Sequence, residues 1–221
     1  MLKYLFLALF AVFSAIHLYH SWLDKYHHRT KTKPFLILFL SLYYIFATDS
    51  IDIFLVLALC ASWLGDILLI PKGNKWFIMG GIAFMISHFF FIVTYIPNID
   101  LSKALWPVAV PLALVYFGIS IFIMNFVREG VPKMMVFPMW FYLLCNSCMN
   151  LCALLQFMSY RNAGAAMALI GAALFFASDC CLFVVRYHRK PQLIFKKHFT
   201  IMVTYLAGEL LIVLGMLSLK G

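Results

Sequence analysis

The feature that most constrains this chain is its punctuation, in which apolar runs of roughly 15 to 25 residues succeed one another with only short polar stretches between them. A helix rising 1.5 Å per residue needs about 20 residues to cross the hydrocarbon of a bilayer, so each run has the length of one crossing. Strands of a membrane barrel would alternate apolar and polar residues. Ile53-Phe54-Leu55-Val56-Leu57-Ala58-Leu59 is apolar on every side, which excludes them. With 65% hydrophobic and 11% charged residues, a soluble fold could not hide the apolar surface.

Hydropathy therefore predicts an all-α membrane protein, a bundle of about eight transmembrane helices forming a single domain over residues 1–221. The spans are expected near Tyr4 to Leu23, Pro34 to Thr48, Ile53 to Ile70, Trp76 to Ile96, Ala104 to Phe126, Met134 to Met158, Ala163 to Val185 and Phe199 to Leu219. The second is short, and a seven-span chain is the alternative. The first run follows Lys3 as a secretion signal would, but it is long and lacks a small-residue cleavage site before His17, so it reads as a permanent span.

The net charge of +9 is distributed as topology requires. In an eight-span chain the loops after the odd-numbered helices hold thirteen of the seventeen Lys and Arg, among them Arg29, Lys33, Lys72, Arg186 and Lys197. The positive-inside rule then puts those loops in the cytoplasm and both termini on the other side. A bacterial inner membrane and an endoplasmic reticulum both fit this asymmetry. No basic stripe with interleaved aromatics lies on a soluble segment, so nucleic acid is not an expected partner.

Three acidic residues fall inside spans: Asp66, Asp179 and Glu209. A carboxylate at the bilayer centre costs about 2.5 to 3.5 kcal/mol on insertion scales, so such residues face the bundle interior and often mark a site. The competing interpretation is a hydrogen-bonded packing pair. Asp66 and Asp179 stand near the ends of their spans, about 6 to 9 Å below the cytoplasmic surface, at a common depth where they could meet across one cavity. Arg186 follows Asp179 by two helical turns on the same face. There a guanidinium could grip a phosphate, or could serve only as a topological anchor.

Other polar residues lie within reach of such a cavity. His88 is deep in the fourth span, where its N–H needs a partner, whether for structure or for chemistry. Tyr142, Asn146 and Asn150 recur every four residues on the sixth helix, as Tyr205 and Glu209 do on the eighth, and each set forms a stripe that should face inward. Cys145, Cys148 and Cys152 resemble a metal spacing but lack a second ligand cluster, so no metal is expected. No G-x-S-x-G, phosphate-loop or H-E-x-x-H pattern occurs. Acid chemistry by carboxylates remains.

These residues resemble the YhhN-type integral membrane proteins, whose characterised animal members are lysoplasmalogenases. The resemblance is carried by Gly65-Asp66-Ile67-Leu68-Leu69-Ile70, followed by Phe77, Gly80, Phe84 and His88. It continues in the stretch from Gly171 to Ser178-Asp179, then Arg186, and in Thr204-Tyr205-Leu206-Ala207-Gly208-Glu209. A Lys33-Pro34 pair opening the second span is similar as well. One departure is Glu209, which stands where the family usually carries Gln.

The resemblance implies a hydrolase that cleaves the vinyl ether bond of a lysoplasmalogen, a lysophospholipid drawn from the membrane, into a fatty aldehyde and glycerophospho-ethanolamine or glycerophospho-choline. Such a reaction needs an acid to protonate the β-carbon and a carboxylate to stabilise the resulting oxocarbenium ion and activate water, as in glycoside cleavage. Asp66 and Asp179 are the catalytic candidates for both roles, expected to share a proton. His88, Tyr142, Asn146, Arg186, Tyr205 and Glu209 are the substrate-binding candidates. No cofactor or covalent intermediate is called for.

Two other functions compete. A proton-coupled transporter or lipid flippase would also use intramembrane carboxylates, and Gly65-Asp66 and Ser178-Asp179 hint at an internal repeat. An intramembrane aspartyl protease would need G-x-G-D, but Trp63 stands at the first glycine position.

Overall fold

A computed structural model describes residues 1–220 as eight α-helices and four short 3-10 turns, with no strand among the described residues. The helices are α1 (Leu2–Trp22), α2 (Tyr26–Ala47), α3 (Ile53–Leu68), α4 (Asn74–Tyr95), α5 (Trp106–Val127), α6 (Lys133–Tyr160), α7 (Ala163–Tyr187) and α8 (His198–Lys220). Six of them (α1, α4, α5, α6, α7 and α8) are long and apolar enough to cross a membrane. The chain is a multi-pass membrane protein.

The other two helices depart from the hydropathy pattern in opposite ways. α2 starts at Tyr26 rather than at Pro34, so Arg29, Lys31 and Lys33 lie on its first turns instead of in a loop. Hydropathy misreads this because Lys and Arg lower the average even where their long stems let the helix run on into the interface. α3 has 16 residues, about 24 Å of helix, and ends two residues beyond Asp66. Asp52 sets its start, because its Oδ1 accepts from the Phe54 and Leu55 amides at 3.0 and 3.3 Å. Asn162 caps α7 in the same manner, accepting from the Ala165 amide at 2.9 Å.

Neighbouring helices pair antiparallel. α7 and α8 come closest: a Cβ on Gly171 would lie 2.6 Å from the Gly208 carbonyl oxygen, and one on Gly164 would lie 3.0 Å from that of Gly215. Only residues without a side chain permit this approach, the small-residue packing by which helices associate in lipid. α3 and α4 form a second tight pair, joined by the Ser62 and Ser87 hydroxyls at 2.8 Å. There a Cβ on Gly65 would lie 2.7 Å from the Phe84 ring. The helices alternate in direction, so the basic loops collect at one end of the bundle, where α3 and α7 end and α4 and α8 begin.

The buried core gathers where these pairs meet and includes Leu59, Phe91, Tyr95, Phe175, Leu143 and Ile212. The lipid-facing side chains are apolar too: Phe122, Phe137 and Leu114 are exposed. A bilayer makes this arrangement neutral, because lipid tails solvate such side chains as well as a core does.

Candidate active site

Asp66 and Asp179 line one cavity of about 370 Å³ near the basic end of the bundle, together with Lys33, Phe84, Ser178, Arg186 and Tyr205. Asp66 reaches it from the last turn of α3 and is 2% exposed. Its Oδ1 lies 3.2 Å from the Lys33 ammonium, and its Oδ2 accepts from the Tyr205 hydroxyl at 3.0 Å. Lys33 is half-buried, brought in by the early start of α2. The Trp63 indole N–H donates to the Pro34 carbonyl at 2.7 Å and fastens α2 to α3 beside the pair.

Asp179 is held differently. Its Oδ2 accepts from the Tyr142 hydroxyl and from the Asn146 amide, each at 2.7 Å. The Asn150 amide donates to Asn146 Oδ1 at 3.0 Å, which turns the NH2 of Asn146 toward Asp179. The polar stripe of α6 is therefore a relay of donors ending on one carboxylate oxygen. His88 Nε2 stands 3.5 Å from the same oxygen, and its ring packs edge-on against Tyr142 and Phe175, with centroids 5.1 and 4.9 Å away. No hydrogen bond uses Oδ1 of Asp179 among the described residues.

The two carboxylates thus share a cavity but have separate partners. No hydrogen bond links them among the described residues, and the expected direct sharing of a proton gives way to two independently seated groups. The difference has a physical cause. α3 draws its charge partner from α2, whereas α7 draws neutral donors from α6.

Aromatic rings line the same cavity. Phe175 lies 5.2 Å from Tyr205 and 6.1 Å from Phe84, centroid to centroid. The Gly65 contact lets the Phe84 ring pack against α3 at this point. Ser178 donates to the Ile201 carbonyl at 2.9 Å, locking α7 to α8 one residue before Asp179.

Arg186 stands at the exposed mouth, with its guanidinium 4.9 Å from the Phe77 ring and one N–H donating to Asn74 Oδ1 at 2.8 Å. It also borders a second polar recess, lined by Arg29, Lys72 and His198 among others.

Of the residues expected at the site, Asp66, Asp179, Arg186 and Tyr205 line the cavity. Tyr142 reaches Asp179 from an adjoining apolar groove. His88, Asn146 and Glu209 are fully buried and do not line the cavity. Asn146 and His88 stand behind Asp179. Glu209 lies one turn beyond Tyr205 on α8, its side chain fully buried. Lys33 was not among the expected site residues. Its signal was present in the Lys33-Pro34 pair, because a cation at a span edge is the natural partner of an intramembrane aspartate. Among the described residues no three His, Cys, Asp or Glu side chains converge as a metal site would require, and Cys145, Cys148 and Cys152 are free thiols along α6.

Nothing among curated proteins or solved structures matches the chain. The YhhN family matches it over residues 28–216, a stretch that takes in both carboxylates, Lys33, Arg186, Tyr205 and Glu209. The chain belongs to the YhhN family.

Proposed function

We propose that this protein is a lysoplasmalogenase-type hydrolase that cleaves the vinyl ether bond of a lysophospholipid inside the membrane. The observation that carries the reading is the single cavity lined by Asp66 and Asp179, with Arg186 at its mouth. Family membership agrees with that chemistry.

Partner chemistry divides the roles. Asp66 faces a cation, so it is the group that can remain a carboxylate, steady an oxocarbenium ion and accept a proton from water. Asp179 meets only neutral donors and an imidazole, and both hydrogen bonds fall on Oδ2, leaving Oδ1 free to present a proton to the cavity. Asp179 then protonates the β-carbon of the vinyl ether, and the double bond's electrons become the new C–H bond. Water adds to the cationic α-carbon while Asp66 takes its proton. In the hemiacetal, Asp66 returns that proton to the glycerol oxygen as the C–O bond breaks, and Asp179 recovers one from the hydroxyl. Both groups end as they began, and the products are an aldehyde and a glycerophospho-alcohol.

Arg186, at the cavity mouth, would hold the phosphate, and the positive-inside rule would turn the basic end of the bundle and its loops toward the cytoplasm. A coupled aldehyde assay on the purified protein, run across vinyl ether, alkyl ether and ester lysolipids, tests the reaction. Aldehyde release from vinyl ethers alone is expected. Turnover of esters alone would keep the site and replace the chemistry.

A further inference from the structure

A groove of about 310 Å³ adjoins the carboxylate cavity and opens sideways between α4 and α6, toward the surface that faces lipid. The two spaces share Leu69, Phe77, Phe84 and Leu182 as common wall. Apart from Tyr142, whose hydroxyl is committed to Asp179, the groove has no polar side chain, and its outer rim is formed by the exposed Ile82, Phe137 and Phe141. On the other side, the cavity shares Arg186 and His198 with the recess that also holds Arg29 and Lys72. The sequence of surfaces is therefore apolar channel, carboxylates, cations.

From this succession of adjoining spaces we infer that the α4–α6 groove receives the single hydrocarbon chain of the lysolipid, which enters laterally from the bilayer while its phosphate rests among the cations. This rests on reading the carboxylate cavity as the site of lysolipid turnover. An amphiphile with one chain and one anionic head matches both ends of the path, and its reacting carbons, adjacent to the glycerol oxygen, fall between them at Asp66 and Asp179. Because lipid tails are as apolar as the groove, the chain gains little affinity there. The groove acts by position and by number: its volume of about 310 Å³ accommodates one chain and leaves no room for a second. Selection for lysolipids over diacyl lipids follows from shape.

Gly81 offers a way to close the groove. It lies on the α4 wall, and a Cβ there would find nothing within 4 Å, so a larger side chain at this position projects into the channel rather than into a neighbouring helix.

The test uses full-length protein and a saturated hexadecyl-ether lysophosphocholine carrying a diazirine at mid-chain, which has no vinyl ether to cleave. After irradiation, peptide mapping should find adducts concentrated on groove residues such as Ile82 and Phe141. Gly81→Phe should reduce them about tenfold or more, the scale of overfilling a formed cavity, relative to background labelling of the outer surface of α5 in the same sample. Adducts spread evenly over the lipid-facing helices, or unchanged in Gly81→Phe, would overturn the inference. Groove labelling by a protein that releases no aldehyde from any vinyl ether would support the chain site while removing the proposed reaction. Aldehyde release without groove labelling would do the reverse.

Discussion

Lys33 and Asp66 are unequal partners, because the lysine side chain is 15% exposed and its aspartate 2%. Lys33 can turn back toward the headgroups if its partner is neutralised, whereas Asp66 has nowhere to go if the ammonium is removed. Breaking a buried pair from the side that leaves the charge stranded costs up to about 3–5 kcal/mol. Lys33→Met should therefore lower the midpoint of thermal unfolding in detergent, and adding Asp66→Asn should recover most of the loss without restoring turnover. For Arg186→Ala the expectation is a raised KM with a modest change in kcat, the signature of a group that binds ground and transition states alike. Steady-state kinetics on a vinyl ether lysolipid checks it. Asp66, Asp179 and Arg186 were legible in the sequence because intramembrane carboxylates are costly and helical register is fixed. Lys33 was hidden among cations that topology already explained. The order of the donors behind Asp179 was only half visible: the spacing of Tyr142, Asn146 and Asn150 put them on one face, but not which atom each would bind.

At the scale of elements, two glycine-lined helix pairs carry the aspartates, Asp66 on one and Asp179 on the other. α3 and α4 close over Gly65, and α7 and α8 over Gly171 and Gly208. A Cβ at Gly171 would fall 2.6 Å from a backbone oxygen, which no side-chain rotation relieves. Gly171→Leu is expected to cost about 1–3 kcal/mol or more, as overpacking does, and to part α8 from α7, removing Tyr205 from Asp66 along with activity. Gly81→Ala, in open space on α4, should leave the unfolding midpoint unchanged or raise it, since alanine is the better helix former. Comparing unfolding midpoints of the two variants checks both. Seven helices announced themselves by hydropathy near their observed positions, because an uninterrupted apolar run has few other fates in a membrane. The start of α2 was missed by eight residues, since charge alone does not end a helix that has reached the interface.

For the whole molecule, the gathering of the basic loops at one end gives the site its address. The Lys- and Arg-rich loops next to the carboxylate cavity should face the cytoplasm, and both ends of the chain the opposite side. In sealed vesicles of known orientation, a membrane-impermeant maleimide checks this. A cysteine replacing Arg161, in the turn between α6 and α7, should react from the non-cytoplasmic face, and one replacing Arg189, after α7, should not. The opposite pattern would move the cavity mouth to the other leaflet. The central claim is that two separately seated aspartates act together on one vinyl ether in the cavity they share. It is tested most directly by single-turnover release of aldehyde from a lysoplasmalogen by the wild-type protein and by Asp66→Asn and Asp179→Asn, with thermal unfolding measured in parallel. Turnover should vanish in both variants while their unfolding midpoints stay near that of the wild type. Undiminished aldehyde release from either folded variant would contradict it.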